Sequence, residues 1–229
     1  MKKVYVINLL LVILLISMLS GCKKSVNYTP ETKDELRVLV DNSTVKLSSI
    51  NTSKITDMSN LFANVKRTDF SGIENWDTSK VTNMQAMFLG AATFNSDISK
   101  WNVSNVKNMF SMFAGAAAFN QPIGSWDVSH VDNMSSMFAN ASSFNQDISK
   151  WNVSQVKNMA DMFVNAVSFN QDISFWNVSN AANISTMFAF AKSFNKDLSK
   201  WKLSDNVTME GTFWGSPLEN NPPAWFNKK

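Results

Sequence analysis

Apolar residues recur along this chain in a pattern that repeats every 25 residues. Within the unit from 97 to 120, Ile98, Trp101 and Val103 are spaced apolar-x-x-apolar-x-apolar, and Trp101 and Val103 would share one face of a strand. Four more apolar residues follow at i, i+3, i+4 and i+7, the stripe of a short helix. They are Met109, Met112, Phe113 and Ala116. Each unit therefore predicts one short strand and one short helix joined by bends.

The period is clearest in the aromatic residues. Tryptophans lie 25 residues apart at Trp76, Trp101, Trp126, Trp151, Trp176 and Trp201. Units of this length cannot bury an apolar face alone, and they do so by stacking on their neighbours. The strand pattern resembles that of leucine-rich repeats. We therefore expect an α/β repeat solenoid: a leucine-rich-repeat-like, right-handed coil with one short parallel strand and one short helix per 25-residue repeat, and an N-terminal helical cap.

Several other columns keep the same period, and we interpret them as structural. Met and Phe stripes at this spacing indicate a core more often than a cofactor site. Stacked Asn residues are expected to hydrogen-bond one another along the axis and to satisfy backbone groups at bends. The acidic column Asp97, Asp147, Asp172 and Asp197 could suggest Ca²⁺. Calcium-binding rolls need glycines beside each acid, however, and the chain has only 7 Gly. We expect no metal and no cofactor.

The ends of the chain depart from the repeat and predict its domain boundaries. Residues 1–21 read as a signal peptide, 22–31 as a lipidated tether and 32–50 as an N-terminal cap; 51–215 form the repeat solenoid and 216–229 a C-terminal cap. Thr32 and Glu35 have the capping-box spacing and predict a helix from about Lys33 to Val40. Trp214, Trp225 and Phe226 are expected to fold over the last coil.

The N-terminus carries a targeting signal. Lys2 and Lys3 precede an apolar run that is too short for a comfortable membrane span and is typical of a signal peptide. The run ends in Leu19-Ser20-Gly21-Cys22, which resembles the bacterial lipobox. That resemblance implies lipidation of Cys22 with a diacylglyceryl group, which carries two acyl chains such as palmitate. Two chains anchor a protein far better than one, because each buried CH₂ contributes about 0.8 kcal/mol. We expect a lipid-anchored protein on the outer face of the bacterial cell membrane.

The repeat W-[DN]-V-S-x-V-x-N-M-x-x-M-F-x-x-A-x-x-F-N-x-x-I resembles the BspA-like leucine-rich-repeat surface proteins. It is similar in particular to a repeat family of unknown function that is common in mycoplasma lipoproteins. The resemblance covers about 47 to 220. It implies a surface protein that adheres to or interacts with the host, and it carries over no catalytic residue.

Charge and residue types exclude several other classes of function. A net charge of +3 without a basic stripe does not suggest nucleic acid as a partner. His130 is the single histidine, and nothing in the sequence places a nucleophile or carboxylate partner beside it. We expect that the protein is not an enzyme.

Positions that vary between repeats are the ones that packing does not dictate, so they are the candidates for ligand binding. Two such positions flank the tryptophan. Our candidate residues there are Lys80, Lys100, Asn105, His130, Lys150, Gln155, Phe175, Asn180 and Lys200. Lys100, Lys150 and Lys200 would be spaced by ~10 Å if coils stack at strand spacing, which suits a polyanion such as a sulfated glycan. The alternative is a solvated face that keeps the protein soluble.

Two functions fit this pattern. The first is a binding or adhesion module toward host surface proteins or anionic glycans. The second is a surface coat or decoy antigen with no dedicated ligand, because exact 25-residue units allow copy-number change without breaking the core.

Overall fold

A computed structural model describes residues 27–65 and 67–226. The predicted signal peptide and the lipidation site at Cys22 lie outside the described residues. Within the described part of the chain, no helix is both long and apolar enough to cross a lipid bilayer.

The described chain begins with a capped helix, α1, which spans Lys33–Asp41. The Thr32 side chain accepts a hydrogen bond from the Glu35 backbone N–H (3.2 Å), so the predicted helix start is confirmed. Leu36, Leu39 and Val40 form its buried face. Two short 3-10 helices follow, at Leu47–Ser49 and Ile73–Asn75. The helix thus covers the first coil of the stack with an apolar stripe.

The rest of the described chain is a column of stacked coils built from turns. Neighbouring coils are joined by isolated parallel bridges that follow the period, from Asp57 through Asn83, Asn108, Asn133, Asn158 and Asn183 to Thr208. No residue from 27–65 or 67–226 belongs to an extended strand. The predicted strand at 98–103 is wrong, because two turns break it: Trp101 donates its N–H to the Ile98 carbonyl, and Val106 donates to that of Val103.

The predicted helix in each coil is also wrong, so an α/β solenoid with one strand and one helix per repeat does not describe this fold. In the coil at 109–116, Ser111 and Gly115 have φ of 53° and 72°, which a right-handed helix excludes. Met109, Ser111, Phe113 and Gly115 donate their N–H groups to carbonyls of the next coil at 2.7–2.9 Å. Residues between them close i→i−3 turns instead. The backbone is therefore a ribbon of turns with alternate N–H groups directed along the stack.

Buried aromatic columns fill the centre of the stack. Phe138 is fully buried and stacks on Phe144 of its own coil (3.9 Å between centroids, 7°). It also lies parallel to Phe113 and Phe163 of the adjacent coils, at 5.7 and 5.6 Å. The other coils repeat this arrangement with nearly the same distances. Offset stacking of this kind stabilises a core beyond its area burial.

The tryptophans form a second buried column, and their indole N–H groups hydrogen-bond neighbouring coils. Each buried indole Nε1 donates to a carbonyl of the preceding coil; Trp126, for example, donates to Ile98 at 3.2 Å. The last member is Trp225, which donates to the Leu198 carbonyl (2.8 Å) and stacks on Trp201 (6.1 Å). Phe226 packs edge-on against Phe213. Trp225 and Phe226 therefore close the C-terminal end of the core, whereas Trp214 remains half exposed.

Candidate functional site

The candidate binding residues lie on the two turns that flank each tryptophan. Lys100 occupies the third position of the turn 98–101, and Asn105 occupies the same position of the turn 103–106. All nine candidate residues are exposed, and they follow one another along the stack in two rows. The first row is Lys100, Ser125, Lys150, Phe175 and Lys200; the second is Lys80, Asn105, His130, Gln155 and Asn180. The rows do not lie beside a strand, as the sequence had suggested, but on turn corners.

Side-chain oxygens hold these turns in shape. Asn102 Oδ1 accepts from the Ser104 N–H (3.1 Å), and Asp97 Oδ1 accepts from the Ser99 N–H (2.9 Å). The same bond recurs in other coils, for example from Ser129 to Asp127 and from Ser149 to Asp147. Asx turns of this kind need only a short acceptor at the first position. The candidate residues stand three positions after that acceptor, outside the bond that holds the turn.

The first row carries an exposed aromatic residue between lysines. Phe175 is 75% exposed, although most equivalent positions in other coils hold Lys or Ser. The Lys200 ammonium lies 4.1 Å from the centre of its ring. A cation at that distance attracts the ring by about 0.5–1 kcal/mol at an exposed site. One face of Phe175 is thus occupied by a cation within the protein.

The second row is partly used by the fold itself. Asn105 Nδ2 donates to the Ser79 carbonyl (2.7 Å), and Asn180 Nδ2 donates to the Ser154 carbonyl (2.8 Å). His130 Nδ1 lies 3.5 Å from the Ser129 hydroxyl. Asn105 and Asn180 therefore tie neighbouring coils together, and the first row is the better candidate for contact with a ligand.

The lysine row is not a bare positive stripe, because carboxylates alternate with it. Hydrogen bonds from Ser99 hold the pKa of Asp97 below its usual value, and Lys100 acts in the same direction. Ser149 and then Lys150 likewise lower the pKa of Asp147. Both carboxylates are therefore charged at neutral pH. The face presents Lys and Asp side by side, which weakens the case for a polyanion and favours a partner of mixed charge.

The remaining polar columns serve the fold. Asn120 and Asn145 each donate a backbone N–H to the Asn side-chain oxygen 25 residues earlier, at 2.9 Å, which confirms the predicted ladder. At the bridge position, the side chain of Asn108 accepts from the Phe110 N–H. Among the described residues, no group of three His, Cys, Asp or Glu side chains could hold a metal ion.

An exposed aromatic pair lies near the C-terminal end, although Trp214 was expected to fold over the last coil. Trp214 is 50% exposed and Phe190 is 45% exposed, and Phe190 donates its N–H to the Trp214 carbonyl. Phe190 has φ of 59°, in a slot that holds Gly or Asn in the other coils. A bulky residue is costly in that conformation.

Two stretches of the chain match one family model, described as Mycoplasma protein of unknown function, DUF285. The matched residues are 35–141 and 120–225, which overlap and together span most of the chain. No curated protein matches the chain, and no solved structure matches it.

Proposed function

The chain belongs to the DUF285 family of Mycoplasma repeat proteins, and from that premise we propose that it is a lipid-anchored surface protein that binds host molecules through its exposed turns. The anchor would be a diacylglyceryl group on Cys22, which would hold the protein on the outer face of the bacterial membrane. This part of the proposal is supported by the lipobox pattern at 19–22 and by the polar tether that follows it.

One observation carries the binding proposal: the residues that form the core differ from those that are exposed on the turns. Buried Phe, Met and Trp columns and the Asn ladder hold the coils together. The first row of turn residues is exposed and contributes little to the packing between coils. Exposed side chains that vary on a rigid scaffold are the usual place for recognition in repeat proteins.

The chemistry of the first row favours a host protein over a sulfated glycan. Lys100 and Lys150 lie close enough to Asp97 and Asp147 to help lower the pKa of these carboxylates, so the row is not uniformly positive. Phe175 offers an apolar contact in the same row. A mixed-charge surface around an aromatic anchor is typical of protein interfaces.

The second candidate is a surface coat or decoy antigen without a dedicated ligand. The observation that favours it is the uniformity of the coil interfaces. Each interface repeats the same five backbone bonds, so a coil could be gained or lost without leaving a mismatch. A coat protein would need this property, whereas a binding module would not.

Saturable binding distinguishes the two functions. We would measure binding of purified 23–229 to host cells and to immobilised matrix proteins and glycans. The variant Lys100→Glu/Lys150→Glu with Phe175→Ala alters the first row. Its matched control is Lys107→Glu/Lys157→Glu, which changes the same residue type at exposed positions two coils apart but outside the two rows.

Saturable binding that the first variant loses and the control keeps would establish adhesion through the first row. Saturable binding that both variants keep would place the site elsewhere on the protein. Absence of saturable binding to every surface would reject the adhesion function for that panel and leave the coat function.

A further inference from the structure

The last coil ends in an interface that is not closed. In three of the coils, an Asn-Gln pair after the ribbon of turns hydrogen-bonds to the Asn 25 residues earlier. The Asn120 N–H donates to Asn95 Oδ1 (2.9 Å), and Gln121 Nε2 donates to both Asn95 Oδ1 and the Asn95 carbonyl (2.9 Å each). The same two acceptors of Asn145 are occupied by Asn170 and Gln171. One Asn therefore offers a pair of oxygens that bind one backbone N–H and one primary amide.

Asn195 is the last member of this ladder, and its acceptors are open. Its own N–H donates to Asn170 Oδ1, so it stands in the correct position. In the part of the chain that the structure describes, no donor reaches Asn195 Oδ1 or the Asn195 carbonyl. The register partner 25 residues later is Asn220. It makes no such bond among the described residues.

A cavity of about 270 Å³ occupies the place of the missing bonds. Residues 195–198 line one side, and Leu218, Asn221 and the pair Pro222–Pro223 line the other.

We propose that this open slot is a binding site for an extended polypeptide segment that carries an Asn-Gln step. The segment's backbone N–H and primary amide would take the two oxygens of Asn195, as they do at Asn95 and Asn145. Leu218 and the two prolines line the slot with apolar surface. The site lies at the end of the stack remote from α1, and it does not depend on the adhesion function proposed above.

The chain itself provides the probe. We would titrate the capped peptide Ser-Phe-Asn-Gln-Asp-Ile-Ser, the sequence of 143–149, into the full chain in detergent and follow backbone amide NMR shifts. A scrambled peptide of the same composition is the control for sequence, and free glutamine tests whether a primary amide alone is sufficient. We expect saturable shifts at 195–198 with the peptide, much weaker ones with glutamine and none with the scrambled peptide.

Two variants separate binding from folding. Asn195→Ala removes one open acceptor, and we expect roughly tenfold weaker peptide binding, about 1.4 kcal/mol, with little change in Tm. Asn170→Ala removes an acceptor that the Asn195 N–H already fills, so it should lower Tm and preserve peptide binding. The proposal is overturned if the scrambled peptide shifts the same amides equally, if glutamine binds as tightly as the peptide, or if Asn195→Ala binds like the wild type.

Discussion

The stacked phenylalanines make a quantitative prediction for Phe138→Ala. Phe138 is fully buried, stacks on Phe144 and lies parallel to the rings of the coils on both sides. Removal of a buried Phe side chain costs about 3–5 kcal/mol in general. Because this ring also loses aromatic stacking on three sides, we expect about 4–5 kcal/mol, in the upper part of that range.

Two comparisons isolate the cause. Phe138→Leu keeps most of the buried volume and should cost less than about 1.5 kcal/mol. Phe175→Ala removes the same atoms from a side chain that is 75% exposed, and it should cost less than about 1 kcal/mol, chiefly the lost attraction to Lys200. Because coils in a linear array contact only their neighbours, Phe113→Ala and Phe163→Ala should match Phe138→Ala to within about 0.5 kcal/mol.

Urea unfolding followed by tryptophan fluorescence provides the assay, since the free energy of unfolding extrapolates linearly with urea. If Phe138→Ala leaves too little folded protein to measure, Phe138→Leu still reports the position. The reasoning is refuted if Phe138→Ala costs no more than Phe175→Ala, or if the three core variants differ widely.

Three further predictions follow from single bonds and backbone angles. Gly115→Ala should lower the free energy of unfolding by about 1–2 kcal/mol because φ at this position is 72°, and Gly115→Asn should lower it less. The midpoints of urea unfolding measure both losses, and equal losses would contradict the prediction. Asn145→Ala should cost about 0.5–1.5 kcal/mol by removing the acceptor of the exposed Asn170 N–H, and a neutral result in the same assay would mean that the ladder does not stabilise the stack. Hydrogen bonds from Ser129, with a smaller effect of His130, lower the pKa of Asp127 in the folded state. The ionised carboxylate therefore stabilises the fold above about pH 4. This stabilisation is lost as the pH falls through the folded pKa of Asp127. Asp127→Asn keeps the acceptor, as Asn102 shows in another coil, and should preserve stability at pH 7 while weakening the acid dependence; an unchanged pH profile in urea unfolding from pH 7 to 2 would count against this.

The repeat and its apolar columns could be read from the sequence because a fixed period leaves few ways to bury so many large side chains. The capping box at Thr32 and the Asn ladder were also predicted correctly, since each depends on local hydrogen-bonding chemistry. The strand and helix of each coil were not. The spacing of Met109, Met112 and Phe113 fits a helical stripe, but a ribbon of i→i−3 turns presents the same residues to the core.

The deciding signal lay in small residues. Gly90, Gly115, Asn140 and Asn165 share one slot, and all adopt positive φ. A recurring Gly or Asn inside an apolar stripe indicates left-handed backbone more than helix. The candidate residues were expected beside a strand, whereas the structure places them on turns. The carboxylates that offset the lysines were not anticipated, because the sequence was interpreted one column at a time.

The central claim is that this protein consists of interchangeable coils, each defined by its 25-residue register. Deletion of 126–150 would join Ser125 to Trp151 and restore every column, whereas deletion of 126–137 would place polar residues in core positions. Urea unfolding of both variants tests the claim most directly. We predict one cooperative transition with moderately reduced stability for the 25-residue deletion and no folded state for the 12-residue deletion. If the 25-residue deletion fails to fold, or if both variants fold equally well, the claim is wrong.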